Sequence, residues 1–158
     1  MCGIIGINSS KPVSATIINS LKKLEYRGYD SAGIATLSSG LINEIKSEGR
    51  VDNLEKNSLV QSMEGTIGIG HVRWETHGMP NSLNAHPHSS FNVSVVHNGI
   101  IENSTILKKH LVKQGHKFKS QTDTEVIVHL STEYLKTENI VNSIKKTLKA
   151  LHGSFALG

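Results

Sequence analysis

Apolar residues along this chain follow two rhythms: short dense runs, and segments in which they recur every three or four positions, so strands and helices are expected to alternate. Cys2–Asn8 reads as a short buried strand. In Val13–Tyr26 the residues Ile17, Ile18, Leu21 and Leu24 share one helical face, and Gly28 and Asp30 break that helix. Strands are predicted at Ala32–Leu37 and Ile42–Glu48, joined by a Ser-Ser-Gly turn at Ser38–Gly40, with a helix over Asn53–Met63. The segment TIGIGHVRW reads as a strand whose Gly68 and Gly70 mark the close approach of another backbone or a ligand. Glu75–Ser90 reads as a loop of turn formers and histidines, and Phe91–His97 as a strand ending at HNG. Helices are expected at Ser104–Gln114, Thr124–Leu135 and Ile140–Leu151, the last with Ile140, Val141, Ile144, Leu148 and Leu151 in register. The closing GSFALG looks like the opening of a further strand. Mixed α and β with several hairpins predicts an α+β fold, its sheets covered by helices.

Composition narrows the function without naming it. The 158 residues fit one domain with a real core, since a domain of this size buries about 68–70% of its unfolded surface. No apolar stretch approaches a membrane span, and MCGIIGINSSKPV lacks the basic and apolar regions of a secretory signal, so a cytoplasmic protein with no membrane partner is expected. The net charge is +4, but the lysines are scattered over predicted helix faces and aromatic residues are only 4% of the chain. That pattern argues for a solvated basic surface and against a nucleic-acid partner. No GxxxxGK[ST] or strand-linked GxGxxG is present, so no nucleotide cofactor is expected. His71, His77, His86, His88 and His97 cluster in sequence, but their spacing matches no standard zinc pattern, and no metal is expected.

The single cysteine, Cys2, excludes an internal disulfide. Once Met1 is removed, Cys2 carries both a thiol and a free α-amine. An α-amine has an ordinary pKa of about 7.7–8.0, close to that wanted of a general base at neutral pH. It could take the thiol proton and later pass it to a leaving group, replacing the histidine of a Cys-His pair. A small buried hydrophobe at a strand start is the alternative reading of the same residue.

Five ordered segments carry a resemblance. MCGIIG, LEYRGYDSAG, GHVRWETHG with NAHPH, VVHNGIIEN and TDTEV together resemble the class II glutamine amidotransferases, which are N-terminal nucleophile hydrolases with a four-layer αββα core. EYRGYDSAG and HNGIIEN are most similar to the branch that makes glucosamine 6-phosphate from fructose 6-phosphate and glutamine. The resemblance implies that Cys2 is the nucleophile and that the Asn98 side-chain amide and the Gly99 N–H form the oxyanion hole. It also implies that Arg73 holds the glutamine α-carboxylate, that Thr76 and His77 line the substrate loop, and that Asp123 holds the α-ammonium. Arg27 and Trp74 would play secondary parts, Trp74 near the route of departing ammonia. The implied substrate is L-glutamine, with fructose 6-phosphate acting only through isomerase domains beyond this chain. No cofactor is implied.

Simpler readings compete at several of these positions. Asn98-Gly99 is also the commonest two-residue hairpin signal. Thr122–Glu125 is also a capping box with an acid in the first helical turn. Trp74 could be a core residue, and Arg27 a cation at a helix C-terminus. The match departs at Glu75, where the family pattern Arg-Trp-Ala-Thr-His becomes Arg-Trp-Glu-Thr-His, placing a carboxylate near Arg73. It departs again in length, which leads to the expectation of a C-terminally incomplete domain that forms a homodimer or associates with a complementary fragment. An inactive interaction module and an amidophosphoribosyltransferase-like enzyme remain as alternatives.

Overall fold

The computed structural model describes residues 2–74 and 81–158. The chain begins with strand β1 (Gly3–Asn8), helix α1 (Ser14–Leu24) and a 3₁₀ turn at Glu25–Arg27. The hairpin β2 (Ser31–Ser38) and β3 (Leu41–Glu48) follows, then two short helices, α2 (Val51–Glu55) and α3 (Ser58–Gln61), and strand β4 (Ile67–Arg73). Next come β5 (His88–Ser90), β6 (Val93–Val95), β7 (His97–Ile101) and α4 (Ser104–Lys113). The chain closes with α5 (Glu125–Leu135), α6 (Ile140–Ala150) and β8 (Gly153–Leu157).

Four strands form one antiparallel sheet in the order β1-β4-β2-β3. Helix α1 covers one face of it, burying Ile17 and Leu21 completely with Ile34, Val51, Leu54 and Val72. Gly68 and Gly70 in β4 face that helix. A Cβ at Gly70 would lie 2.4 Å from Ile17 Cγ2, and one at Gly68 would lie 2.8 Å from Ile17 Cδ1. The close approach expected there is therefore a packed helix rather than a ligand. Two further two-stranded sheets pair β5 with β6 and β7 with β8, and a core of Ile101, Leu111, Val126, Ile127 and Leu151 lies between β7 and helices α4 and α5. The sheets meet where His71 Nε2 of β4 lies 2.9 Å from the carbonyl oxygen of His97 in β7. Helix, sheet, sheet and helix thus stack as the expected α+β layers.

Four expectations need correction. The helix expected over Asn53–Met63 is two short helices, interrupted at Lys56–Asn57, where Asn57 caps the second through its side chain to Leu59 N–H. The strand expected over Phe91–His97 is two strands, because Phe91 adopts a positive φ of 56° in the turn between β5 and β6. His88–Ser90, read as loop, is strand β5. The capping box at Thr122–Glu125 is not formed: Thr122 N–H bonds to Ser120 Oγ, and Glu125 reaches back to the N–H groups of Lys119 and Ser120.

Candidate active site

Cys2 precedes β1 and is 7% exposed. The β1–β4 ladder pairs Gly3 with Val72, so the residues just beyond its end, Cys2 on one strand and Arg73–Trp74 on the other, meet side by side. The Trp74 N–H donates to Cys2 Sγ at 3.5 Å, and the thiol lies 3.6 Å from the Trp74 carbonyl oxygen. Arg73 is fully buried, with its Nη1 3.4 Å from Asp30 Oδ1 and 3.5 Å from Oδ2. The Asp30 N–H returns a bond to the Arg73 carbonyl at 2.7 Å. Burying a guanidinium is costly without a matched charge beside it, and Asp30 supplies one. Trp74 is 54% exposed, so it is not the core residue that its position in a strand end suggested. Its ring lies over Gly28, where a Cβ would fall 2.4 Å from Trp74 Cγ. Arg27 ends the 3₁₀ turn just before that glycine and is partly buried. Thr76 and His77, together with Glu75, lie outside the described residues, as does Met1.

Asn98 and Gly99 sit inside β7, paired with Ala156 and Phe155 of β8, and are not a hairpin turn. Gly99 has φ +140°, and a Cβ there would lie 2.1 Å from the Ser154 carbonyl oxygen, so both conformation and space require glycine. Asp123 is joined to the same strand: its Oδ2 accepts the Ile101 N–H at 2.7 Å. That bond, rather than a helix cap, fixes the direction of the carboxylate. Asp123 lines a cleft of about 400 Å³ with Ile100, Ile101, Lys108, Gln121 and Thr122; Arg73 and Cys2 do not line it.

Between these groups lies a belt of buried histidines. The rings of His71 and His86 stack with centroids 4.1 Å apart, and His88 meets His86 edge-on at 4.8 Å. Burial, aided by neighbouring positive charge, holds His71 and His88 down to about 3 and His86 well below its ordinary value. Burial also lowers His97, against the opposing pull of Asp123. At neutral pH these rings are hydrogen-bonding spacers, not cations. Thr124 Oγ1 lies 2.7 Å from His86 Nε2 and 2.8 Å from His97 Nδ1. A hydroxyl has one proton, so at least one of the two rings must donate to it.

His88 begins a longer relay. Ser120 Oγ donates to the Glu125 carboxylate at 2.7 Å, so the 3.0 Å contact between Ser120 and Thr122 requires the Thr122 hydroxyl to donate to Ser120. His88 Nε2, 2.9 Å from Thr122 Oγ1, must then be the donor. Burial pushes Glu125 up, but the His129 ring beside it and hydrogen bonds from Ser120 and the N–H groups of Lys119 and Ser120 prevail and hold it at about 2.

The sequence reading missed Asp30 as the partner of Arg73, and Thr124 and Glu125 as the fixings of this region. Asp30 lies inside the quoted EYRGYDSAG, but only the β2–β4 register, which sets Ser31 beside Arg73, makes it a partner. The Thr122 and Thr124 hydroxyls alternate with Asp123 in TDTEV, a pattern that gives no hint of the rings they meet.

Residues 75–158 match the family model described as a glutamine amidotransferase domain. Over 99% of its length the chain is 51% identical to a glutamine–fructose-6-phosphate aminotransferase (isomerizing) of Mesorhizobium japonicum, of which it covers 26%. It is 52% identical to the Pyrococcus horikoshii protein of the same name, covering 27% of it. The chain thus spans about a quarter of the length of these relatives. Among solved structures, the glutamine phosphoribosylpyrophosphate amidotransferase of B. subtilis, complexed with ADP and GMP, superposes on 99% of the chain with a TM-score of 0.85 and 28% identity. The chain covers 34% of that structure.

Proposed function

The chain belongs to the glutamine amidotransferase domain family, and on that premise we propose that it hydrolyses L-glutamine to glutamate and ammonia through Cys2. The observation that carries this reading is the seat of Cys2: a buried thiol at the head of β1, held against the backbone of Trp74 and next to the buried Arg73. With Met1 removed, the Cys2 α-amine takes the thiol proton and the sulfur attacks the glutamine side-chain carbonyl. The Asn98 amide and the Gly99 N–H receive the developing oxyanion, where one donor is typically worth about 2.7–4 kcal/mol of transition-state stabilisation. The ammonium form of the amine returns its proton to departing ammonia, and water releases glutamate from the thioester. Arg73, Thr76 and His77 hold the α-carboxylate side of the substrate and Asp123 its α-ammonium; Arg27 and Trp74 border the site. The identity to fructose-6-phosphate aminotransferases, 51% against 28% to the phosphoribosylpyrophosphate enzyme, favours fructose 6-phosphate as the eventual acceptor of ammonia, at domains beyond this chain.

The test is release of glutamate and ammonia from glutamine by chain from which Met1 has been removed. Equimolar release of the two, abolished by Cys2→Ala, supports the reading. Absence of turnover in correctly processed, folded protein favours the inactive interaction module instead.

A further inference from the structure

Antiparallel pairing turns the backbone groups of successive residues alternately to the two edges of a strand. Val96 exchanges both backbone bonds with Gly158, and the Glu102 N–H bonds to the His152 carbonyl. The register between these ends is unbroken, so Asn98 and Ile100 turn their N–H and C=O groups toward β8, and His97, Gly99 and Ile101 turn theirs to the opposite edge. Among the described residues no strand pairs with that edge. Side chains meet it instead: His71 at the His97 carbonyl, 2.9 Å away, and Asp123 at the Ile101 N–H, 2.7 Å away. The Gly99 N–H lies between them.

His71 comes from the other half of the candidate site. It stands in β4 two residues before Arg73, and side chains two apart in a strand share a face, so both turn toward β7. A carbonyl oxygen only accepts, so His71 Nε2 carries the proton, and Nδ1, which has no hydrogen-bond partner, is the lone pair. Burial holds this ring down to about 3, so at neutral pH it is a fixed donor and takes no proton. The stacked His86 ring holds its plane. His86 can lie there because residue 33, opposite His71 in β2, is glycine: a Cβ would fall 2.0 Å from the His86 carbonyl oxygen.

We infer that His71 is a positioning residue for the oxyanion donors: its Nε2–H fixes the peptide leading from His97 into Asn98, and so sets the Asn98 amide and the Gly99 N–H relative to the Cys2 thiol. The inference rests on the proposed glutamine hydrolysis. The Trp74 N–H that meets the Cys2 sulfur follows β4 directly, so the His71 bond joins the strand seating the nucleophile to the strand carrying the oxyanion donors. An oxyanion exists only in the transition state, so loss of this bond falls on kcat rather than on KM.

The test compares two variants of the Met1-processed 158-residue chain. His71→Leu removes the donor at similar volume, and His71→Gln offers a side-chain N–H near the place of Nε2. In His71→Leu, kcat for glutamine hydrolysis should fall at least tenfold with KM within about threefold, and His71→Gln should recover most of the loss. Alkylation of Cys2 by iodoacetamide, a displacement at saturated carbon that develops no oxyanion, should stay within about twofold of the parent rate in both. Nitrogen NMR of the parent should show the His71 ring as the Nε2–H tautomer, and the Gly99 amide signal should shift in His71→Leu and return toward the parent in His71→Gln. If the parent does not hydrolyse glutamine, the hydrolysis reading fails, and the NMR comparison alone decides whether His71 sets this edge. A His71 ring protonated on Nδ1, equal losses of kcat in the two variants, or a Gly99 signal unmoved by His71→Leu would overturn the proposal.

Discussion

The hydroxyl of Thr124 lies 2.8 Å from Nδ1 of His97, so the residue after Asp123 is bonded to the residue before Asn98. Two positions of the candidate site, far apart in sequence, are held together by this contact and by the Asp123 bond to Ile101 N–H. Thr124→Val keeps the shape and removes the hydroxyl, leaving His86 Nε2 and His97 Nδ1 facing a methyl group. Burying polar groups without partners typically costs about 1–3 kcal/mol. The expected outcome is a loss of that size in denaturant unfolding, with Thr124→Ser close to the parent.

Gly99→Ala should be more damaging than an exposed glycine substitution. The added Cβ would meet the Ser154 carbonyl oxygen at 2.1 Å, and φ +140° is strained for any residue with a side chain. Strand β7 must move away from β8, carrying Asn98 with it. Glutamine hydrolysis should fall by at least tenfold, whereas Gly40→Ala, in the open β2–β3 turn, should leave it within about twofold.

Acid should destabilise this fold early. His71 and His88 have folded values near 3 against an ordinary 6.5, so below pH 6.5 the unfolded chain binds more protons than the folded one. Stability then rises with pH through this window and is lost as pH falls through it. Each of these rings should cost on the order of 1 kcal/mol per pH unit below 6.5. Glu125, lowered from 4.5 to about 2, adds a further loss of the same sign as pH falls below 4.5. Unfolding midpoints at pH 7.5 and 5.5 check this, the lower midpoint being expected at pH 5.5.

Much of this was legible in the chain because the signals are local. The α1 face of Ile17, Ile18 and Leu21 and the Ser38–Gly40 turn follow from periodicity and turn chemistry, and the structure has both. What escaped the sequence depends on partners distant along it. The Asn-Gly at 98–99 looks like a hairpin turn until β8 arrives to pair with it. The histidine cluster, whose spacing matches no standard zinc pattern, gave no hint of its packing: His71, His86, His88 and His97 are buried rings bridged by hydroxyls and a backbone carbonyl. Helix α6 has Ile140, Val141, Ile144 and Leu148 in register on one face, as its periodicity predicts, but that face points outward. The structure buries Ser143 and Thr147 against α5 and leaves Ile140, Val141, Ile144 and Leu148 between 42% and 65% exposed.

That outward stripe makes a prediction of its own. An exposed apolar row on α6, together with β8, a strand paired on one side only among the described residues, should promote self-association of the chain. Light scattering should show an apparent mass rising with concentration, and Ile144→Lys should suppress the rise without lowering the unfolding midpoint. A monodisperse monomer at all concentrations would refute this.

The account stands or falls on Cys2 as a glutamine-directed nucleophile. The direct measurement is peptide mapping by mass spectrometry after treating Met1-processed protein with a glutamine-derived electrophile. The account predicts one adduct, on the Cys2 sulfur, suppressed by excess L-glutamine, weakened at least tenfold in Arg73→Lys and absent in Cys2→Ser. Labelling undiminished in Cys2→Ser, or an adduct on Cys2 that glutamine does not suppress, would contradict it.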